Sequence, residues 1–211
     1  MTLKVSSLLS ILAIWVAVIT AVSIEPDCWW SIIFAALATG AVGVGAFRRL
    51  GLSRLIAISG IWAGTAIGMA NDPDATWISI FAFLSTGAAV HSLMKRDSYV
   101  GGLGIALAWM VVGVVLARST DNVPAWICVF AFLTTGAIAN TRGDRRGLAA
   151  LIWWGAAGGI MLVYDDWYWL AVFAFLLTAS SVGFGGFSFP RGIEWDLFDR
   201  DDDGDRVKVV R

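Results

Sequence analysis

The sequence predicts an all-α, polytopic membrane protein whose eight transmembrane helices form four parallel-repeat helical hairpins. Three observations predict it. Of 211 residues, 58% are apolar and 15% are charged, against about 45–50% and about 25% in soluble domains. One phrase of Trp, Phe, Ala, Leu and Thr recurs four times in the same register. No apolar run alternates as a strand does, and a bilayer admits only helices and closed barrels. A crossing of the ~30 Å hydrocarbon core takes roughly 20 helical residues, so eight crossings nearly fill the chain and leave no room for a sizeable soluble domain. The net charge of −1 averages two opposite, segregated populations and carries no signal for nucleic acid.

The recurring phrase starts at Trp30, Trp77, Trp126 and Trp169. It continues with Phe34, Phe81, Phe130 and Phe173, then Leu37, Leu84, Leu133 and Leu176, then Thr39, Thr86, Thr135 and Thr178. A second tryptophan series, Trp15, Trp62, Trp109 and Trp154, runs ahead of it. A repeat of this length, carrying two apolar runs, reads as a stacked supersecondary unit. The four units cover 1–49, 50–97, 98–145 and 146–189, and an acidic cytoplasmic tail follows at 190–211.

Taken in order, the spans fall near 5–23 and 29–47, 51–70 and 77–94, 100–117 and 125–141, and 147–163 and 168–189. Pro and Asp mark the turn inside each pair: Pro26-Asp27, Pro73-Asp74, Asp121 to Pro124, and Asp165-Asp166. The first span imitates a cleavable signal peptide, with Lys4 before the apolar run and Ala21-Val22-Ser23 after it. Trp15 stands in register with Trp62, Trp109 and Trp154, so cleavage there would remove half a repeat. The span is read as a retained helix.

Orientation follows the Lys/Arg bias of the short loops. One side carries Lys4, Arg48, Arg49, Arg54, Lys95, Arg96, Arg142, Arg145, Arg146 and Arg191; the other carries Arg118. An even number of spans then places both ends of the unit in the cytoplasm of a cell (plasma) membrane protein, with every hairpin crossing in the same sense.

In lipid, helices associate through close backbone approach at small residues. Stripes at four-residue spacing supply it: Gly60, Gly64 and Gly68, then Gly155 and Gly159, with Ala13, Ala17 and Ala21 in the first unit. These stripes are expected to close each hairpin on itself. They also offer a face for a homo-oligomer or a membrane-protein partner, beside the lipid bilayer.

Candidate chemistry is sparse. Thr39, Thr86, Thr135 and Thr178 would line a polar pathway if the units encircled an axis; alternatively each hydroxyl bonds its own helix four residues back. The outer-face aromatics, Trp29, Trp30, Trp77, Trp126, Trp167, Tyr168 and Trp169, lie beside acids. They read either as an interfacial belt or as a cation site. Trp15, Trp62, Trp109 and Trp154 lie deeper, where an indole N–H needs an acceptor.

His91 is the only histidine, which excludes paired axial haem ligands and leaves a zinc site without its set. Cys28 and Cys128 belong to different repeats. In the tail, Asp199, Asp201, Asp203 and Asp205 match the first half of a calcium loop. Position twelve is Val210 where a bidentate Glu belongs, so a solvated acidic tail is the reading adopted. No ionisable residue sits at mid-span, which removes the usual mark of proton relays and ion paths. No phosphate loop or hydrolase motif is present. No cofactor is expected.

The two-span unit has Gly60 and Trp62 in its first helix and a tryptophan opening the second after a proline turn. In this it resembles the short two-helix repeats of SPW-type membrane proteins, and it is similar in general plan to HdeD-like proteins. The Ser-Pro-Trp itself is replaced by Asp72-Pro73-Asp74 and Val123-Pro124-Ala125. The resemblance implies an integral membrane protein and transfers no mechanism. The expected function is therefore a structural or accessory membrane component without catalytic activity. The alternative is a channel or carrier for a small neutral or apolar solute along the repeat axis.

Overall fold

The computed structural model describes residues 5–46, 51–71, 76–91, 98–118, 126–140, 144–164 and 167–181. Among them are eight α-helices and no strand: α1 (Val5–Ile24), α2 (Ser31–Ala46), α3 (Leu52–Asn71), α4 (Ile78–His91), α5 (Tyr99–Arg118), α6 (Ile127–Ala139), α7 (Asp144–Met161) and α8 (Leu170–Ser180). Their starts and ends follow the turn residues. Pro26 opens a 3-10 turn (Pro26–Trp30) that leads into α2, where its missing N–H costs nothing because the first donors of a helix have no internal partner.

Three helices, α1, α3 and α5, are long and apolar enough to cross a membrane, at 20 residues each. The others are shorter within the described residues. α4, α6 and α8 have 14, 13 and 11 residues, or about 16–21 Å of helix at ~1.5 Å per residue. α7 reaches 18 residues by including Asp144, Arg145 and Arg146. The reason for the asymmetry is visible at the start of the short helices, where a 3-10 or turn segment at Trp30, Trp77, Trp126 and Trp169 replaces the first α-helical turn.

Consecutive helices pack in pairs, α1 with α2, α3 with α4, α5 with α6 and α7 with α8. The pairs stack in file. The odd helices form one row, α1–α3–α5–α7, and the even helices a second, α2–α4–α6–α8. Neither α1 with α7 nor α2 with α8 forms a packed pair among the described residues. The assembly is thus an open two-layer stack of hairpins.

Packing within the odd row explains the glycines. A Cβ at Gly60 would strike Ala106, and one at Gly64 would strike the backbone of Trp109. Gly102 meets the Ser53 carbonyl, Gly113 meets Gly64, and Gly147 meets Gly101. These close approaches join α3 to α5 and α5 to α7, so the small-residue stripes serve the seams between hairpins and not the seam inside each one. Gly68 faces Leu116 and Ile78 side chains; Gly155 has only ordinary contact with Leu107, and Gly159 has no neighbour within 4 Å. On α7 the close approaches to α5 are made by Gly147 and Gly158, and the Gly155/Gly159 stripe has no tight neighbour among the described residues.

The even row is held by aromatic rings. In each helix the opening Trp meets the Phe four residues on, edge to face: Trp30–Phe34, Trp77–Phe81, Trp126–Phe130 and Trp169–Phe173, at 5.2–5.6 Å between centroids. That Phe then reaches the next helix, in the pairs Phe34–Phe83, Phe81–Phe132 and Phe130–Phe175 at 5.8–6.4 Å. A four-residue step keeps two side chains on one helical face, which is why the repeat spaces them so. Leu37, Leu84, Leu133 and Leu176 project outward from the same helices and stay exposed.

Candidate functional site

The buried polar groups include indoles of the odd helices and hydroxyls of the even ones. Trp62, Trp109 and Trp154 are fully buried, as are Thr86, Thr134, Thr135 and Thr178. Trp15 and Thr39, in the hairpin of α1 and α2, are half-buried; among the described residues that hairpin is flanked on one side only, by α3 and α4. An indole N–H in an apolar interior must find an acceptor or forfeit its hydration, and each of these tryptophans finds one.

Trp15 Nε1 donates to Thr39 Oγ1 at 3.1 Å, Trp62 to Thr86 at 3.0 Å, and Trp109 to Thr135 at 3.1 Å. Each of these threonines donates its own O–H to the carbonyl four residues back, Ala35, Ala82 or Ala131, at 2.8–2.9 Å. The result is a three-group relay from indole to hydroxyl to backbone carbonyl, repeated in three hairpins. Every group in it is satisfied. The alanine is buried in all four even helices.

The fourth hairpin breaks the pattern. Trp154 donates at 3.1 Å to Thr134, on α6 of the preceding hairpin. Thr178 still donates to Ala174 at 2.7 Å, with no indole bond among the described residues. Helix α6 therefore accepts two indoles at adjacent residues, one from its own partner α5 and one from α7. Sequence reasoning passed over Thr134; the doubled Thr134-Thr135 was the signal that could have found it.

These bonds decide what the threonines can do where they stand. Thr39, Thr86, Thr135 and Thr178 lie in file along a packed seam between the two rows, each engaged by at least one protein partner. The glycines of the helix-packing set divide as described, with Gly60, Gly64 and Gly68 against α5 and Gly155 and Gly159 on the outer flank.

At the end of the stack that carries the α1–α2 turn, Asp27 and Trp29 are exposed. Trp167 stacks between Tyr164 and Trp169 at 5.8 and 5.4 Å. Asp74, Asp121, Asp165 and Asp166 lie outside the described residues. At the opposite end, Arg146 donates to the Ala137 carbonyl at 2.6 Å, placing a cation at the C-terminus of α6, where the helix dipole favours it. Ser98 binds the Asp144 carboxylate and accepts the Gly101 N–H, which caps α5 and ties it to the start of α7.

Cys28 and Cys128 are buried free thiols. The Cys28 thiol contacts the Met69 carbonyl at 3.5 Å. No cluster of three metal-ligating side chains occurs among the described residues. The calcium-loop candidates Asp199, Asp201, Asp203 and Asp205 lie outside the described residues, as does the side chain of His91. No family model, curated protein or solved structure matches this chain.

Proposed function

We propose that this chain is a multi-pass protein of the cell membrane, with eight crossings and both ends of the eight-helix unit on the cytoplasmic side. We further propose that it acts as a structural or accessory component without catalytic activity. The observation that carries this reading is the use of the deep polar groups. The indoles and threonines at mid-depth are consumed in bonds that hold one helix to another, and Trp62, Trp109, Thr86 and Thr135 are fully buried. Each of these indoles has its one donor taken and each of these hydroxyls donates its one O–H to a carbonyl, so neither has a hydrogen left to donate to a solute.

The eight-crossing topology draws support from the pairing. Each short even helix lies against a partner of 18–20 residues, so a membrane that accommodates the odd row meets the even row as well. The 3-10 segment before α2 lengthens that arm to span Pro26–Ala46. Exposed Leu8, Leu12, Ile19, Ile152 and Ile160 at the two ends of the odd row suit acyl chains. A partner protein would meet the stack there or on the even helices' Leu37–Leu176 face.

The test is solute flux. Purified protein in liposomes is assayed for release of small neutral solutes, with the quadruple variant Thr39→Val, Thr86→Val, Thr135→Val and Thr178→Val alongside. The accessory reading expects background flux from both. A wild-type flux abolished by the quadruple change would overturn it in favour of a channel or carrier.

A further inference from the structure

Among the described residues, three hydroxyls are buried without a hydrogen-bond partner: Ser7, Ser31 and Ser85. Such groups are rare in native interiors and call for an explanation. Ser85 has one in the repeat register. It stands eight residues after Trp77, as Thr134 stands eight after Trp126. Thr134 is the residue that accepts Trp154 from the next hairpin. The next hairpin's indole for Ser85 is that of Trp109, which in this structure donates to Thr135 in its own hairpin.

Trp109 thus has two acceptors assigned by the repeat. One is taken, as Trp62 takes Thr86; the other stands empty, at the position where Trp154 is already bonded. Trp62 has no such choice, since the equivalent residue before it is Ala38, whose side chain has no polar atom. Among the described residues no hairpin precedes that of Trp15.

We propose that Ser85 is the second acceptor of a two-position switch on Trp109. In one position the indole bonds Thr135 and closes the third hairpin on itself. In the other it bonds Ser85 and ties the third hairpin to the second, as Trp154 ties the fourth to the third. The two positions differ in the approach of α5 to α4. Among the described residues, α6 and α7 form a packed pair and α4 and α5 do not, so the switch brings the middle seam to the geometry of the last one. Only a hydrogen bond is exchanged, and no proton changes owner. The seam affected is the midpoint of the stack, where hairpins one and two meet hairpins three and four.

The experiment reads indole N–H exchange by nuclear magnetic resonance. It uses the full chain, labelled with 15N-tryptophan, in nanodiscs of phosphatidylcholine and phosphatidylglycerol, with Trp109→Phe and Trp62→Phe to assign the two signals. With Thr135→Val, the Trp109 N–H is expected to move to a new position and stay slow to exchange, because Ser85 receives it. Adding Ser85→Ala should then speed its exchange by about tenfold, the factor one ordinary hydrogen bond supplies. Thr86→Val should speed Trp62 exchange at once, and Ala38→Ser in that background should slow it again. Equal exchange of Trp109 in Thr135→Val with and without Ser85→Ala overturns the proposal. Should that double variant fail to fold, the Ala38→Ser pair decides alone, and no slowing there overturns it.

Discussion

The Trp62 indole donates to Thr86 Oγ1 at 3.0 Å, and that hydroxyl donates in turn to the Ala82 carbonyl at 2.8 Å. Two helices of one hairpin are joined by a bond whose every member is buried. Thr86→Val keeps the shape and removes the acceptor, leaving an indole N–H unpaired. The expected loss is about 1–3 kcal/mol. Thr178→Val, which strands no indole among the described residues, should cost less. Unfolding in mixed micelles compares the two variants, and equal losses would remove the relay as a source of stability.

Gly64 and Gly159 test the direction of packing. A methyl at Gly64 meets the Trp109 backbone, which cannot step aside as a side chain can; at Gly159 it meets nothing within 4 Å. Gly64→Ala should therefore cost about 1–3 kcal/mol through overpacking, and Gly64→Leu should abolish most of the folded yield. Gly159→Ala should be neutral or slightly stabilising, since alanine is the better helix former. The outward-facing Leu84→Ile is the control, with yield close to wild type. The check is recovery of monodisperse protein by size-exclusion chromatography.

The aromatic file should show an end effect. Phe130 touches Trp126 and Phe175, whereas Phe173 touches Trp169 alone among the described rings and is 50% exposed. Aromatic pairs contribute about 0.5–1.5 kcal/mol beyond area burial. Phe130→Leu is expected to lower the melting temperature clearly and Phe173→Leu hardly at all, as read by differential scanning fluorimetry in detergent.

Topology is settled by labelling single cysteines in a Cys28→Ser, Cys128→Ser background. On the proposed orientation, Asp27→Cys and Tyr164→Cys, exposed between the two helices of their hairpins, should react with a membrane-impermeant maleimide added to intact cells. Leu52→Cys and Arg145→Cys, also exposed, should react only after lysis. Asp27 and Tyr164 on opposite sides would refute the eight-crossing arrangement.

Much of this fold was legible before any coordinates. The helix positions follow from apolar run length and from Pro and Asp at the turns, so each expected span overlaps one observed helix, with α7 and α8 centred a few residues earlier than expected. The faces were legible too: Ala35, Ala82, Ala131 and Ala174 had to lie on one side and Leu37, Leu84, Leu133 and Leu176 on another, because helical spacing alone dictates the angle between them. That the deep indoles would need acceptors followed from the cost of an unpaired N–H.

What only the tertiary structure decided is which neighbour each face meets. A glycine stripe lets any backbone approach, so Gly60 and Gly64 fitted a hairpin partner as well as an adjoining hairpin; the contact with α5 is a property of the stacked pairs. A repeat names equivalent positions but not whether the copies close into a ring or run in file, since both give each interior unit the same two neighbours. The ends differ, and there the sequence rule lapsed: Trp154 turned back to Thr134, Trp15 stayed half-covered and Gly159 met nothing. Spacing along a chain determines direction around a helix, and the identity of what lies in that direction belongs to the packing.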